Sequence, residues 1–312
     1  QTHLTDVVEE LVTVCISSLA QQQQRNNNNN DDDDNNNDNG PAATTGKAVD
    51  FYLKGATVTF ANSSVCAATT TDANGNFTAP KGAACGAATV TGGTDIATNL
   101  PFTGKLTAPA GATIVSPVTT LVQALVASGQ SEAAANELVK SKLGLTKDPA
   151  TTDPLTDPAA LAKAQALVQI AQQTAAVVTK AQTSANFADV FAKTLETAAK
   201  SLSTASSITN TTFVQSVIAT TASASLSSST AANNLAAITA AKIAEIATAA
   251  ETQITSVQAQ LAGKDASTAL ALLTNGNVDS NIKTLTEQAT TLANAVATVN
   301  LSTVTDVAAV VT

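Results

Sequence analysis

The chain has 312 residues, 44% of them hydrophobic, yet only 3% are aromatic and 12% charged, and the net charge is −9. With no Trp, one Tyr and seven Phe, a core has to be assembled from Ala, Val, Leu and Ile, which favours closely packed helices over an aromatic centre. An acidic chain without a basic face argues against nucleic acid as a partner, since nothing neutralises phosphates, and no apolar run approaches the ~20 residues that span a bilayer.

So few charges leave Thr, Ser, Asn and Gln to carry the surface, a composition familiar outside cells. The chain begins at Gln1 and contains no Met, so an upstream segment is expected to have been removed, a signal peptide being the simplest account. An alternative places the processing site within LVTVCISSLA, before Gln21, although Asp6, Glu9 and Glu10 stand where a signal peptide carries Lys or Arg.

Leu4, Val7, Val8, Leu11, Val12, Cys15, Ile16 and Leu19 recur at three- and four-residue spacing, which places them on one stripe of a helix. Asp6 with Glu9 fits a capped start, so residues 1–22 are expected to form an amphipathic helix that serves assembly. Residues 23–47, with the tract QQQQRNNNNNDDDDNNNDN, have no apolar period and are expected to be linker. Roughly 28 residues of tether sample ~30 Å and reach ~90 Å when extended. The stripe can therefore dock on its own body or on a neighbouring copy. Asp31, Asp32, Asp33 and Asp34, flanked by Asn, form a weak candidate for Ca²⁺ through hard oxygen ligands; the competing reading is a flexible acidic spacer, with Asn ladders between subunits as a third. No other cofactor or metal is expected.

Residues 48–114 change to short β-rich runs and are expected to form a small sandwich. FYLKGATVTF reads as strand, Gly break and strand, and AATVTGG as another strand closed by Gly92-Gly93. Asn74-Gly75, between Thr70 and Phe77, is a strong hairpin signal. Asp72, Asn74 and Asn76 imitate the start of a calcium loop, but the glycine is misplaced and no Glu closes it. Cys66 and Cys85, 19 positions apart, are expected to form a disulfide in an oxidising compartment. Cys15 is left over, as a buried thiol, an inter-subunit disulfide or a lipidated residue.

Residues 115–312 are expected to be an Ala/Thr-rich helical domain. Ser116-Pro117 caps a helix to about 128, and Ser131 opens the next to Gly144. After a Pro/Asp/Thr stretch, Pro158 begins a long helix to about 183. Further helices follow near 186–204, 210–227, 230–262, 265–274 and 279–299. Ile246, Ala250, Ile254, Val257 and Leu261, and then Ile282, Leu285, Ala289, Leu292, Val296 and Val299, alternate at three and four as seams of an antiparallel bundle. The expected fold class is α+β, mostly α: a small β-sandwich, an Ala-rich antiparallel bundle and a tethered N-terminal amphipathic helix.

At FYLKGATVTF, TDANGNF and VTGGTDIATNLPFTGKLTAPAGATIVSPVTTLV, residues 48–145 resemble a module of bacterial secreted surface proteins in which a carboxypeptidase-regulatory-like sandwich leads into an Ala/Thr-rich helical region. The resemblance implies adhesion or surface architecture and no catalytic residues. Ala61-Asn62-Ser63-Ser64 replaces the longer Asp-containing loop of that module.

His3 is the only histidine, which removes His-dependent triads and histidine metal sites, and no phosphate loop or dinucleotide fingerprint occurs. Asp95 and Asp72 are expected to be turn or cap residues. Asn62, Asn76, Asn210 and Asn300 begin Asn-x-Ser/Thr acceptor patterns for glycans. The functional expectation is a non-enzymatic extracellular structural subunit at the cell surface, polymerising with itself through its N-terminal segment into a filament or layer. The alternative is a secreted adhesin or binding module that takes a glycan or host-surface ligand.

Overall fold

The computed structural model describes residues 40–305. From Pro41 onward the described residues form one compact unit. The expected helix at 1–22, with Leu4, Val7, Val8, Leu11, Val12, Cys15, Ile16 and Leu19, lies outside the described residues, as do Asp31 to Asp34. Within the described part the fold is α+β and mostly α, with strands confined to 44–115 and helices following.

Nine short strands form three sheets. β1 (Thr44–Ala48) lies between β5 (Asn76–Ala79), antiparallel, and β9 (Ile114–Val115), parallel. β2 (Leu53–Lys54) pairs with β7 (Thr94–Asp95). The third sheet runs β4 (Thr69–Thr70), β3 (Thr57–Phe60), β6 (Ala88–Thr91), β8 (Lys105–Ala108). Alternation decides the faces: Val58, Phe60, Ala88, Val90, Leu106 and Ala108 are buried, while Thr57, Thr59, Thr89, Thr91, Lys105 and Thr107 project from the other side. The buried face meets Ala48, Phe77 and Ala79 of the first sheet in a single core, with the Phe60 and Phe77 rings 6.3 Å apart.

Two expectations are corrected here. The expected linker, 23–47, ends too late: Thr44–Lys47 already belong to the central strand β1, whose Gly46 and Ala48 face the core. Apolar alternation was too thin to read across TTGKA. Asn74-Gly75 does make a tight turn, with Gly75 at φ +79°, but β4 and β5 join different sheets and do not pair as a hairpin. Asp72 shapes this corner: its carboxylate accepts from the backbone N–H groups of Asn74 and Asn76, at 2.8 and 2.9 Å, and from the Asn76 amide. The turn is therefore a bend between layers.

Most of the α-helices open on side-chain caps. Ser116 Oγ accepts from Thr119 N–H at the start of α1 (Pro117–Ala127), and Thr119 Oγ1 in turn accepts from Ser116 N–H. Ser131, Asp157, Asn186, Asn210, Ser228 and Asp265 cap α2 (Glu132–Leu143), α3 (Pro158–Ala181), α4 (Phe187–Ser201), α5 (Thr211–Ser223), α6 (Ser229–Ser256) and α8 (Ala266–Asn275). The stretch 230–262, expected as one helix, breaks at Val257 into α6 and the single turn α7 (Gln258–Leu261). Thr252, Thr255 and Ser256 turn their hydroxyls back onto carbonyls of the preceding turn, which loosens the ladder. The break sends the chain into α8 and then α9 (Val278–Ala297), with Ile254, Leu261, Leu273 and Ile282 in a second apolar cluster.

α3 is buried on nearly every side and packs against α1, α4, α6 and α9. One core runs from the strands into the helices, so the division at 114/115 separates two layers of one unit. Two of the sheet edges, at β8 and β9, are closed by the chain itself. Thr119 and Thr120 of α1 take the open edge of β8: Thr120 Oγ1 accepts from Thr107 N–H at 2.9 Å, and both hydroxyls donate to Thr107 O. The Ala150 carbonyl takes the N–H groups of Thr113 and Ile114 beside β9. Tyr52 donates to Asp153 at 2.5 Å beneath the Lys47 ammonium, 4.1 Å from the ring centroid, and so fixes β1 to the turn at Pro154–Thr156.

Gly46 is required by space rather than by backbone angle, because a Cβ there would overlap the Phe77 ring. Gly46→Ala is expected to cost about 1–3 kcal/mol through forced repacking, read as a lower urea midpoint with an unchanged slope. An unaltered midpoint would show that the Phe77 ring of the neighbouring strand is not held over Gly46.

Candidate functional site

Cys66 follows β3 and Cys85 ends a short 3₁₀ turn before β6; both are buried. Their sulfurs form a disulfide across a Cα separation of 5.3 Å. Asn62 reinforces the same junction, its N–H donating to Cys85 O and its amide to Ala84 O.

The polar centre of the structure lies where the strands meet the helices. Asp50, in the loop after β1, and Asp95, on β7, line a cavity of about 30 Å³ together with Thr98, Phe102, Gln165, Phe191 and Thr286. Phe102 and Phe191 stand edge to face at 5.7 Å. Asp95 has a full shell of donors: Oδ2 accepts from Phe51 N–H and Oδ1 from Ala97 and Thr98 N–H, all at 2.8–2.9 Å. Asp50 has a poorer shell, with Gln165 Nε2 donating to its backbone carbonyl at 2.8 Å and to Oδ1 at 3.0 Å. Burial, then the nearby Asp95 charge, push the Asp50 carboxyl up to about 8, against a lowering by Gln165. Burial also raises Asp95, opposed by its backbone donors.

A helical row of amides continues from the cavity. Gln165, Gln169 and Gln173 sit four residues apart on α3 and are fully buried. Gln169 donates to Thr286 Oγ1 at 2.9 Å and Gln173 to Leu285 O at 2.9 Å, while Gln173 Oε1 and Thr174 Oγ1 have no hydrogen-bond partner. A space of about 30 Å³ accommodates one or two waters and no organic substrate. Chemically the cluster can hold a proton and order small polar molecules.

Asp95 is the capping residue that Gly92-Gly93-Thr94-Asp95 suggested, now with an apolar burial that spacing did not disclose. Asp72 is a turn residue, its carboxyl held low by the Asn76 amide and then by backbone N–H groups. Asp50 and the glutamines went unnoticed in the sequence; the available signal was amides at i, i+4 and i+8 in an otherwise apolar helix. Asn62, Asn76, Asn210 and Asn300 are not brought together. Asn62, Asn210 and Asn300 are exposed and Asn76 is half-buried. The Asn76 amide nitrogen is held by both oxygens of Asp72, and that of Asn62 by Ala84 O. Asn210 and Asn300 use their oxygens to accept from backbone N–H groups. Among the described residues no group of three or more His, Cys, Asp or Glu is placed to hold a metal, and no helix is long and apolar enough to cross a membrane.

No protein-family model, curated protein or solved structure matches the chain.

Peptide mapping without reduction is expected to recover Cys66 linked to Cys85. By chain entropy, opening this loop of about 20 residues by Cys66→Ser with Cys85→Ser should cost roughly 3 kcal/mol. Two free thiols in secreted material would remove both the bridge and the argument for an oxidising compartment.

Glycopeptide mapping of secreted material from an N-glycosylating host is expected to find sugar at Asn210 and Asn300, where attachment breaks no hydrogen bond. Occupancy confined to Asn62 and Asn76, where it breaks one or more, would contradict this.

Proposed function

We propose that the chain is an extracellular structural subunit, without catalytic activity, that polymerises with copies of itself through the apolar stripe at residues 4–19. The observation that carries this reading is the closure of the described body. Val65 is the only large hydrophobic residue exposed among the described residues, and the edges at β8 and β9 are occupied by Thr119, Thr120 and Ala150. A body so sealed offers little apolar patch for association and little strand edge to extend. The stripe Leu4, Val7, Val8, Leu11, Val12, Cys15, Ile16 and Leu19 is the apolar surface left to drive assembly. Its burial involves several hundred Å², on the order of 10 kcal/mol before ordering costs. The disulfide supports an oxidising location, and the small cavity leaves no room for an organic substrate.

A second reading, a secreted adhesin, is favoured by one feature: the outward face of the four-stranded sheet, where Thr57, Thr59 and Thr70 are exposed beside Thr89 and Thr91. It is a neutral, hydroxyl-bearing surface that suits a polar glycan or host ligand. The resemblance of residues 48–145 to surface modules is compatible with either reading.

Removal of residues 1–22 is expected to leave folded monomers, and Leu11→Asp in the full chain is expected to block assembly with an unchanged melting profile. Electron microscopy and sedimentation check both. Ordered polymers from the truncated chain would overturn the mechanism. Unfolding of isolated Leu11→Asp monomers would show that the stripe docks on its own chain.

A further inference from the structure

The cavity between strands and helices contains two carboxyls and no cation. From the loop at 49–52, from β7 with its following loop, and from α3, α4 and α9, the titratable residues lining it are Asp50 and Asp95 alone. The nearest lysines on those elements and on β8 are committed elsewhere, Lys105 to Asp189 and Lys163 to Glu251; Lys283 and Glu287 of α9 do not line the space. Two negative charges here, on buried Asp95 and half-buried Asp50, repel and have no partner of opposite sign in the lining. The hydrogen bonds show which of them keeps its charge. Asp95 has three backbone N–H donors on its two oxygens, the arrangement that stabilises a carboxylate. Asp50 has the single Gln165 amide and leaves its second oxygen free to carry a proton.

We propose that Asp50 and Asp95 form a proton-holding latch between the strand layer and the helices, closed while Asp50 is protonated and loosened when it ionises. The pair is well placed to act on that junction. Asp95 fastens the loop 96–98 and, through Phe51 N–H, the segment that carries Asp50. Gln165 fastens Asp50 to the central helix α3. A second charge here has to be hydrated, and the space for water lies between these elements. The latch is independent of the assembly reading and stands whether or not the chain polymerises.

Folding raises the Asp50 carboxyl from 3.8 to about 8. The folded chain therefore binds this proton more tightly than the unfolded chain does. The resulting stability is complete below about pH 4 and is lost as the pH climbs through about 8. Thermal melts from pH 5 to 9 are expected to show a fall of at least about 5 °C in the native sequence that Asp50→Asn largely abolishes. Asp95→Asn should lower the melting temperature at every pH, because three backbone donors lose their carboxylate. Amide exchange at Phe51, Ala97 and Thr98 should accelerate at least about ten-fold more between pH 7 and 9, after correction for intrinsic rates, than in Asp50→Asn.

Carboxyl-carbon NMR of the unaltered chain provides a readout that needs no variant: one Asp resonance should titrate near pH 8. Both carboxyls titrating below pH 5 would overturn the latch, as would an equal alkaline fall in Asp50→Asn. Restoration of the melting temperature at pH 9 by CaCl₂ alone would also overturn it, since the cavity would then be a cation site.

Discussion

A helix buried on nearly every side has to satisfy whatever polar groups it hides, and α3 carries Gln165, Gln169 and Gln173 on one buried face. Each buried amide left unpaired costs about 1–3 kcal/mol, so the row acts as a register. Gln165 accepts only one placement of the loop at Asp50, and Gln169 and Gln173 only one placement of α9, through Thr286 and Leu285. Ala-rich cores are permissive, because small side chains allow helices to slide past one another at little cost. The glutamine row removes that freedom and binds the strand layer, the central helix and the C-terminal helix into one arrangement.

Composition shapes the remainder. With so few aromatic rings, five of the eight sit at junctions: Phe60 and Phe77 between two sheets, Phe102 with Phe191 between strands and α4, Tyr52 beneath Lys47. Charge pairs contribute little by comparison, since Lys140–Glu137, Lys193–Glu196 and Lys242–Glu245 are surface pairs within single helices and such pairs stabilise by tenths of a kcal/mol. Hydroxyls substitute for charge. Threonines close the β8 edge, cap α1 and line the outward sheet face, so the surface stays polar with a low charge density.

Much of the helical layer was legible, and the reason is local. Ser116-Pro117, Ser131, Asp157-Pro158 and Asn210 are caps whose chemistry acts within four residues, so helix starts could be read from short windows. The seam Ile282, Ala289, Leu292, Val296 is buried as its spacing implied, with Leu285 and Val299 only partly covered. Non-local pairing was harder. Nothing in TTGKA announces a central strand, because its identity depends on β5 and on β9, some 30 and 65 residues away. The Asn-Gly turn was legible as a turn but not as a corner, since the sheet joined by each flanking strand is set by distant partners. The disulfide followed from cysteine number and spacing. The acid pair did not, because Asp50 and Asp95 are 45 positions apart and each looks like a loop residue until burial is known.

The same closure that hides the core limits how copies of this body can meet. A surface with low charge density has weak long-range steering and weak self-repulsion, so neither attraction nor exclusion by charge organises encounters. The occupied edges at β8 and β9 also disfavour the edge-to-edge pairing that often drives uncontrolled aggregation. Under the proposed assembly, association confined to one apolar stripe on a long polar tether would be selective by subtraction: the body would contribute shape and rigidity, and the stripe the free energy. In such a division of labour the stability of the body and the strength of assembly can be altered separately, because residues 4–19 and the glutamine row around α3 are separated in sequence by the polar tract at 21–39.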